Sequence, residues 1–330
     1  MQDALTTEVL VVGAGMTGLT AACELQRSGL EVLVVDKNRS VGGRVATRRT
    51  GRAAFDYGAQ FITARSPRFA GAVDQWIRAG VAEEWYQRSA NQSGGHSRWR
   101  GKPTMAAIPK HLVASVRVLL ERRLASLRID DAQSWAGEFS GGDTVRAGAV
   151  LLTPPVPKAL ALLDAGKVEL SPQTRVCLEK IRYEPCFAVM AVLDGPSGLP
   201  LPGGLALRDG PLAWIADNQM KGVSAVPAVT IHATGMFSRG RWECDREETG
   251  KELLRAAEPW LGSNVIEWQI HGWRDSRAVS LEKVNCLTLS QFPPLVIAGD
   301  AFVAPRVEGA VLSGWAAADT LKQLIIGPGN

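Results

Sequence analysis

The chain is poor in the residues that mark several function classes. Its five cysteines, at positions 23, 177, 186, 244 and 286, form no CxxC pair, and an odd number gives no disulfide framework. That scatter suits a reducing cytoplasm, which is the expected location. Four histidines (96, 111, 232 and 271) show neither HExxH nor H-x3-H spacing, so no metal site is expected. No run of five like charges occurs, and 37 basic against 33 acidic residues leave a net charge of only +4. That balance argues against nucleic acid or a membrane surface as partner. No apolar stretch approaches the ~20 residues of a bilayer span. The N-terminal MQDALTT lacks the positive charge of a secretory signal.

What is present in excess is glycine, 34 of 330 residues, without a collagen period. With 46% hydrophobic residues the chain can bury a large core, so fibrous and disordered classes are out. Its length is about twice the ~150 residues of one typical domain, which predicts two. Where the glycines fall becomes the first question, because they mark sharp turns and close approaches.

Glu8–Val12 reads as a strand buried on both faces, and it runs into Gly13-Ala-Gly-Met-Thr-Gly18. Leu19–Ser28 reads as a helix closed by Gly29, and Leu30–Val35 as a second buried strand ending at Asp36. This is a complete β-α-β unit. Phe69–Ala79 and Pro109–Arg123 read as helices, with loops or short strands over Glu84–Lys102 between them. Ala149–Thr153 and Leu295–Ala298 read as buried strands, and Val311–Leu324 as a closing helix. The alternating runs Phe187–Leu193, Leu212–Ala216, Val229–Ala233 and Val265–His271, broken by Gly and Pro, predict an antiparallel sheet. The expected class is α/β: a Rossmann-like domain with an inserted mixed or antiparallel substrate domain. The boundaries drawn are 1–64, 120–165 and 285–330 for the first, and 65–119 and 166–284 for the second.

In the glycine loop, Gly13 permits the tight turn and Gly15 lets backbone approach a pyrophosphate. Gly18 lets helix pack on strand. The helix start at Met16 and Thr17 offers N–H groups and a positive dipole to phosphates. Asp36 stands where ribose hydroxyls are bound and argues against a 2′-phosphate. The loop alone does not choose between NAD and FAD.

The continuation does. Asp36-Lys37, then Ser40-Val-Gly-Gly43-Arg44, then Phe55-Asp-Tyr-Gly58-Ala59-Gln60 resemble the flavin-containing amine oxidase superfamily. So does the C-terminal run Ile297-Ala-Gly-Asp300, Arg306-Val-Glu308-Gly309-Ala310 and Ser313-Gly314. The resemblance implies non-covalent FAD, with Gly42 and Gly43 against the cofactor and Arg44 on its pyrophosphate. Asp300 would meet the ribityl or phosphate region, and the helix start at Gly309 and Ala310 would face the ring. Arg48, Arg49 and Arg52 read as a solvated basic loop or as companions of Arg44.

Within the superfamily the chain resembles the renalase family. The narrowing segments are Trp214-Ile-Ala-Asp-Asn218 with Lys221, Ile231-His232-Ala-Thr234 with Phe237, and Trp273-Arg-Asp-Ser276. The resemblance implies a pocket of Trp214, His232 and Trp273, with Asn218 orienting a substrate amide or positioning the inserted loop. Each has a plainer reading: tryptophan as core, His232 as a satisfied strand histidine, Lys221 as a surface loop residue. The superfamily's lysine near flavin N5 has no counterpart in Tyr183-Glu-Pro-Cys-Phe187, which weakens amine oxidation. The expected activity is oxidation of 2- or 6-dihydro-NAD(P) to NAD(P)+, with O2 reduced to H2O2. The alternatives are an amine oxidase or desaturase, a flavoprotein isomerase, or a dinucleotide-binding module without turnover.

Overall fold

An uninterrupted apolar strand followed by a glycine turn and a helix can bury both strand faces only inside a parallel sheet. The computed structural model, which describes residues 5–87, 96–280 and 284–327, builds that sheet. In chain order the first elements are β1 (Leu5–Val12), α1 (Met16–Arg27), β2 (Val32–Val35), β3 (Thr47–Thr50) and β4 (Ala53–Asp56). They continue as α2 (Pro67–Arg78), β5 (Ala82–Gln87), β6 (Ser97–Gly101), α3 (Ala107–Val113) and β7 (Arg117–Leu119). The middle of the chain supplies β8 (Leu124–Ile129), β9 (Trp135–Phe139), β10 (Thr144–Leu152), α4 (Val156–Ala165), α5 (Pro172–Glu179) and β11 (Tyr183–Leu193). Next come β12 (Gly204–Ala206), β13 (Leu212–Asp217), β14 (Ala228–Ala233), α6 (Gly235–Gly240), α7 (Arg246–Leu261) and β15 (Val265–Ala278). The last are β16 (Leu287–Gln291), β17 (Pro294–Ile297), α8 (Asp300–Val303) and α9 (Val307–Ile326).

Two compact units result. The first comprises Met1–Gly43, Pro109–Arg182 and Ala278–Asn330. Its sheet runs β16-β17-β10-β1-β2-β7, with β9 and β8 joined to β10. The pairs β17/β10, β10/β1, β1/β2 and β2/β7 are all parallel. Helices α1 and α9 pack on it around a core that includes Val9, Val11, Leu19, Val34, Leu151, Val296 and Leu321. The second unit comprises Arg44–Ile108 and Tyr183–Arg277. Its main sheet runs β12-β13-β14-β11-β15, and β11/β14, β12/β13 and β13/β14 are antiparallel. One face is closed by Leu253, Ala257 and Leu261 of α7 against Phe187, Val189, Val229 and Ile231.

The structure departs from the sequence expectation in three places. Pro109–Arg123 is not one helix: α3 ends at Val113, and β7 follows because it adds parallel to the open edge of β2, Val34 opposite Val118. That pairing carries residues 109–119 into the first unit. Residues 166–182, with α5, also belong to the first unit. Conversely, residues 44–64 cluster with the second unit, because β4 is tied there by Asn218 and Lys221. Part of the Glu84–Lys102 stretch, residues 88–95, lies outside the described residues.

Gly314 shows how tightly α9 seats. A Cβ there would lie 2.5 Å from Thr17 O and 3.1 Å from Thr20 Cβ on α1. Since backbone cannot yield as a flexible side chain does, Gly314→Ala is expected to cost about 1–3 kcal/mol. Urea unfolding checks this; an unchanged midpoint would mean the helices separate freely.

Candidate functional site

In the first unit, the local chain explains the glycine loop. Gly13 adopts φ +109°, and a Cβ on it would meet Thr153 Oγ1 at 2.4 Å. At Gly18 a Cβ would fall 2.0 Å from Gly13 O, so only glycine lets α1 start against the turn. Gly15 differs. Its backbone is extended (φ −78°, ψ 179°), and an added Cβ would meet nothing within 4 Å. It N-caps α1 with no side-chain cap, so the first-turn N–H groups have no capping oxygen from this residue. The Gly42-Gly43 turn lies alongside: Gly42 N–H donates to Ala14 O (2.8 Å) and pairs with Gly15 in an isolated parallel bridge.

Asp36, buried at the end of β2, holds this arrangement from beneath. Its Oδ2 accepts from Ala14 N at 2.7 Å, and its Oδ1 accepts from Asn38 N and Nδ2, both at 2.8 Å. Lys37 beside it is exposed. At the other end of the chain, Gly299 N–H donates to Ser313 Oγ (2.9 Å), which in turn donates to Asn285 O (2.6 Å). Asp300 and Glu308 are buried, and Glu308 pairs with Arg306 Nε at 3.1 Å. Gly309 passes Ala304 so closely that a Cβ would lie 2.0 Å from its carbonyl oxygen. Bare Cα atoms, an open approach at Gly15 and an uncapped helix start are what a dinucleotide pyrophosphate requires, so these residues fit the flavin cofactor.

In the second unit everything hangs from Asp56. Its carboxylate has no exposed surface, and Lys221 Nζ stands 2.9 Å from Oδ2, equally buried. Thr47 Oγ1 (2.6 Å) and Met105 N (3.0 Å) donate to Oδ1. Burial pulls Lys221 below its ordinary lysine range, with Asp56 acting the other way. The next residue, Tyr57, presents its carbonyl to two donors: Trp273 Nε1 and His232 Nε2, each at 3.0 Å. That bond assigns the proton of neutral His232 to Nε2. Burial pushes His232 down to about 4, against the bond to Tyr57 and with Lys221 adding to the shift.

Around this carbonyl the rings assemble. Tyr57 stacks on Trp273 (centroids 5.1 Å, 23°), and His271 sits edge-on to both, 5.1 Å from Tyr57 and 4.4 Å from Trp273. The Arg48 guanidinium lies 4.9 Å from the Tyr57 ring centre. Burial first, then Arg48 and Arg246, push His271 down to about 4. Trp214 is cross-strand partner of His232, and His232 of Ala188, so the three form one row across β13, β14 and β11. A second ring group, Phe61, Trp85 and Trp214, carries Arg98 at 3.8 Å from the Phe61 centre. The indole N–H of Trp214 and the Oε1 of Gln60 are buried without a hydrogen-bond partner among the described residues.

The structure therefore gathers His232, Trp273 and Trp214 on one sheet face. It corrects one expectation. Lys221 is not a surface residue, because the 218–224 turn folds inward onto Asp56. Asn218 is fully buried, its amide bonded to Thr230 Oγ1 (2.9 Å), Ala228 O and the Asp56 N–H, which fits the second of its two expected roles, positioning the inserted loop. Gly58 and Ala59 pack on Arg44: a Cβ on Gly58 would lie 2.0 Å from Arg44 O, and Ala59 N–H donates to the same oxygen (2.9 Å). Arg44 Nη1 donates to Ser276 O (3.0 Å). Sequence reasoning did not single out Tyr57 or His271, and left Arg48 between a solvated loop and a companion of Arg44. The two-residue step from Trp273 back to His271 on β15 was the available signal, since alternate strand residues share a face.

Comparison with known proteins fits this geometry. A sequence model described as flavin containing amine oxidoreductase matches residues 67–322, and one for an NAD(P)-binding Rossmann-like domain matches residues 11–76. The chain belongs to the flavin-containing amine oxidoreductase family. Its members use FAD, so the chain is a flavin-dependent oxidoreductase whose two-domain α/β fold is that of the family. Over 57 residues, 17% of the chain, it is 51% identical to AofH, a candidate flavin-containing monoamine oxidase of Mycobacterium tuberculosis (strain ATCC 25618 / H37Rv). Over 61 residues it is 49% identical to lysine-specific histone demethylase 1 homolog 2 of Oryza sativa subsp. japonica. Those matches span 13% and 8% of the relatives' own lengths. The fold matches that of putrescine oxidase bound to putrescine (TM-score 0.69, 14% identity, 97% of this chain and 99% of that one). It also matches a candidate protoporphyrinogen oxidase from Exiguobacterium sp. 255-15 (TM-score 0.72, 12% identity, the same coverage). Among the described residues no helix is long and apolar enough to cross a membrane.

Two outcomes follow from the family's cofactor and the buried pair. Gly15→Val should fold, since its backbone suits valine and its Cβ meets nothing, yet purify without flavin absorbance. A yellow variant would show that the pyrophosphate does not approach there. Lys221→Met leaves Asp56 charged and unpaired, and is expected to cost about 3–5 kcal/mol. The double variant Asp56→Asn/Lys221→Met should recover a large part of that loss in denaturant unfolding. Equal stability of the single and double variants would show that the two residues are not coupled.

Proposed function

We propose that this flavin-dependent oxidoreductase oxidises 2- or 6-dihydro isomers of NAD(P)H. The balance is dihydronicotinamide + O2 + H+ → NAD(P)+ + H2O2. FAD would be held by Gly13, Gly15, Met16, Thr17, Gly18, Asp36, Gly43, Arg44 and Asp300, with Gly309 and Ala310 toward its ring. Bound there, it supplies a two-electron acceptor that O2 can regenerate.

The observation that carries this reading is the Tyr57–His271–Trp273 ring cluster, with His232 donating to the same carbonyl as Trp273. Aromatic faces suit a planar nicotinamide. His232 stays neutral through the physiological range, with Nε2–H committed to Tyr57 O, so its Nδ1 is left as an acceptor for a carboxamide N–H. A ring that titrates near 4 is a weak base at pH 7. A dihydronicotinamide needs none, because losing a hydride makes its ring aromatic. The buried lysine of this unit is ion-paired to Asp56, so it is not a free amine either.

The second reading is oxidation of an amine. The family description and the fold shared with putrescine oxidase favour it. Anaerobic mixing of the yellow protein with 2-, 4- and 6-dihydro-NAD separates the two. Bleaching by the 2- or 6-isomer at least a hundredfold faster than by the 4-isomer is expected. Bleaching by putrescine or another primary amine, with none by the dinucleotides, would replace the first reading with the second.

A further inference from the structure

We propose that Arg48 is the specificity-determining residue of the ring cluster, and that it selects phosphate-bearing, anionic ring compounds over cationic amines. The inference rests on the function proposed above and names the charge class of that site's substrate.

Arg48 is partly buried on β3 and is positioned entirely by neutral groups. Its guanidinium lies on the Tyr57 ring at 4.9 Å, and Nη1 reaches Gln269 Oε1 at 3.4 Å. Gln269 is held in turn by its own Nε2 donating to Thr50 Oγ1 at 3.3 Å. No carboxylate lies within ion-pair distance of Arg48 among the described residues. Many other arginines of the chain do have one: Arg100 pairs with Glu83, Arg122 with Asp143, Arg146 with Asp130 and Arg241 with Glu252. Its neighbours Arg49 and Arg52 are exposed, so Arg48 alone of that basic segment is packed against a functional ring.

A planar guanidinium stacked on a tyrosine keeps its edge available for hydrogen bonding, and a fork of parallel donors matches phosphate oxygens. The charges nearby reinforce this sign. Arg246 stacks on Phe187 and Trp242 at 4.4 and 4.7 Å, and His271 is lowered by both Arg246 and Arg48. Lys221 and Asp56 cancel within their pair. Asp275 lies two residues beyond Trp273 on β15. Asp275 shares the strand face of Trp273 but makes no ion pair with Arg48 among the described residues, so a substrate ring against Trp273 meets at Arg48 a guanidinium that no carboxylate neutralises. An ammonium would be repelled there, and a phosphate attracted.

The test is equilibrium binding to the FAD-loaded protein, read from the flavin absorbance difference spectrum. The probes are NAD+ and nicotinamide riboside, which carry the same ring with and without phosphates. Wild type should bind NAD+ at least tenfold more tightly, a preference that shrinks with added salt. Arg48→Gln should bring the ratio to within about twofold by weakening NAD+, without weakening the riboside, whose pyridinium ring is itself cationic. Arg48→Lys, which keeps the charge but not the fork, should restore part of it and guards against a folding defect in the glutamine variant. A ratio that survives in Arg48→Gln overturns the assignment of Arg48 and leaves the proposed function standing. Wild type that binds putrescine but neither nicotinamide probe overturns both.

Discussion

A carboxylate with no exposed surface must find its full complement of partners inside the protein, and the second unit is built around one that does. Asp56 takes a lysine ammonium, a threonine hydroxyl and a backbone N–H, and these come from three separate stretches of chain. Removing two charges from water costs several kcal/mol each, which their attraction repays only in good geometry. The turn carrying Lys221, the β3 strand and the segment entering α3 are therefore fixed relative to one another. Tyr57 follows Asp56 directly, so its carbonyl is fixed too. His232 and Trp273, from two different strands, can share that oxygen only because it does not move.

The first unit meets a similar demand with less charge. Asp36 joins the end of β2 to the glycine loop through Ala14 N and to Asn38 through the following turn. Its role is thus partly architectural, whatever it does for a ribose. The glycines divide by function in the same way. Gly13, Gly18, Gly309 and Gly314 are glycines because backbone or a buried hydroxyl occupies the space of a Cβ, whereas Gly15 has space to spare. At Gly15 that open space adjoins an uncapped helix start, which points to something other than the protein itself, and spacing along the sequence does not distinguish the two kinds.

That difference accounts for what could be read from the sequence. The βαβ unit, the buried parallel strands and the antiparallel runs are local patterns, and each was legible because strand period and turn residues are written in neighbouring positions. The family was legible because its cofactor motifs are short and ordered. Lys221 was misread because its partner lies 165 residues away, and in a sequence window it is a lysine between turn residues. Asn218 was left between two roles for a related reason. A polar residue in a resemblance segment can be kept for the loop it organises as well as for a ligand it touches. The helix expected through Arg123 failed where an open edge of β2 took the Val118 segment as a strand, a tertiary effect that propensity does not contain.

Family membership supplies the flavin but leaves the reductant open, so the substrate has to be argued from protons and charge. An alkylammonium must lose a proton, to solvent or to a protein group, before it can give up a hydride. The ring cluster offers two histidines that titrate near 4, a lysine already bound to an aspartate, and a tyrosine stacked under an arginine. Both histidines are weak bases at neutral pH, and the lysine is committed to Asp56. A dihydronicotinamide arrives uncharged at its reacting ring and anionic at its phosphates. On the proposed reading it asks the protein only for a flat surface, an acceptor for its carboxamide and a cation at a distance, the roles proposed for Trp273, His232 and Arg48.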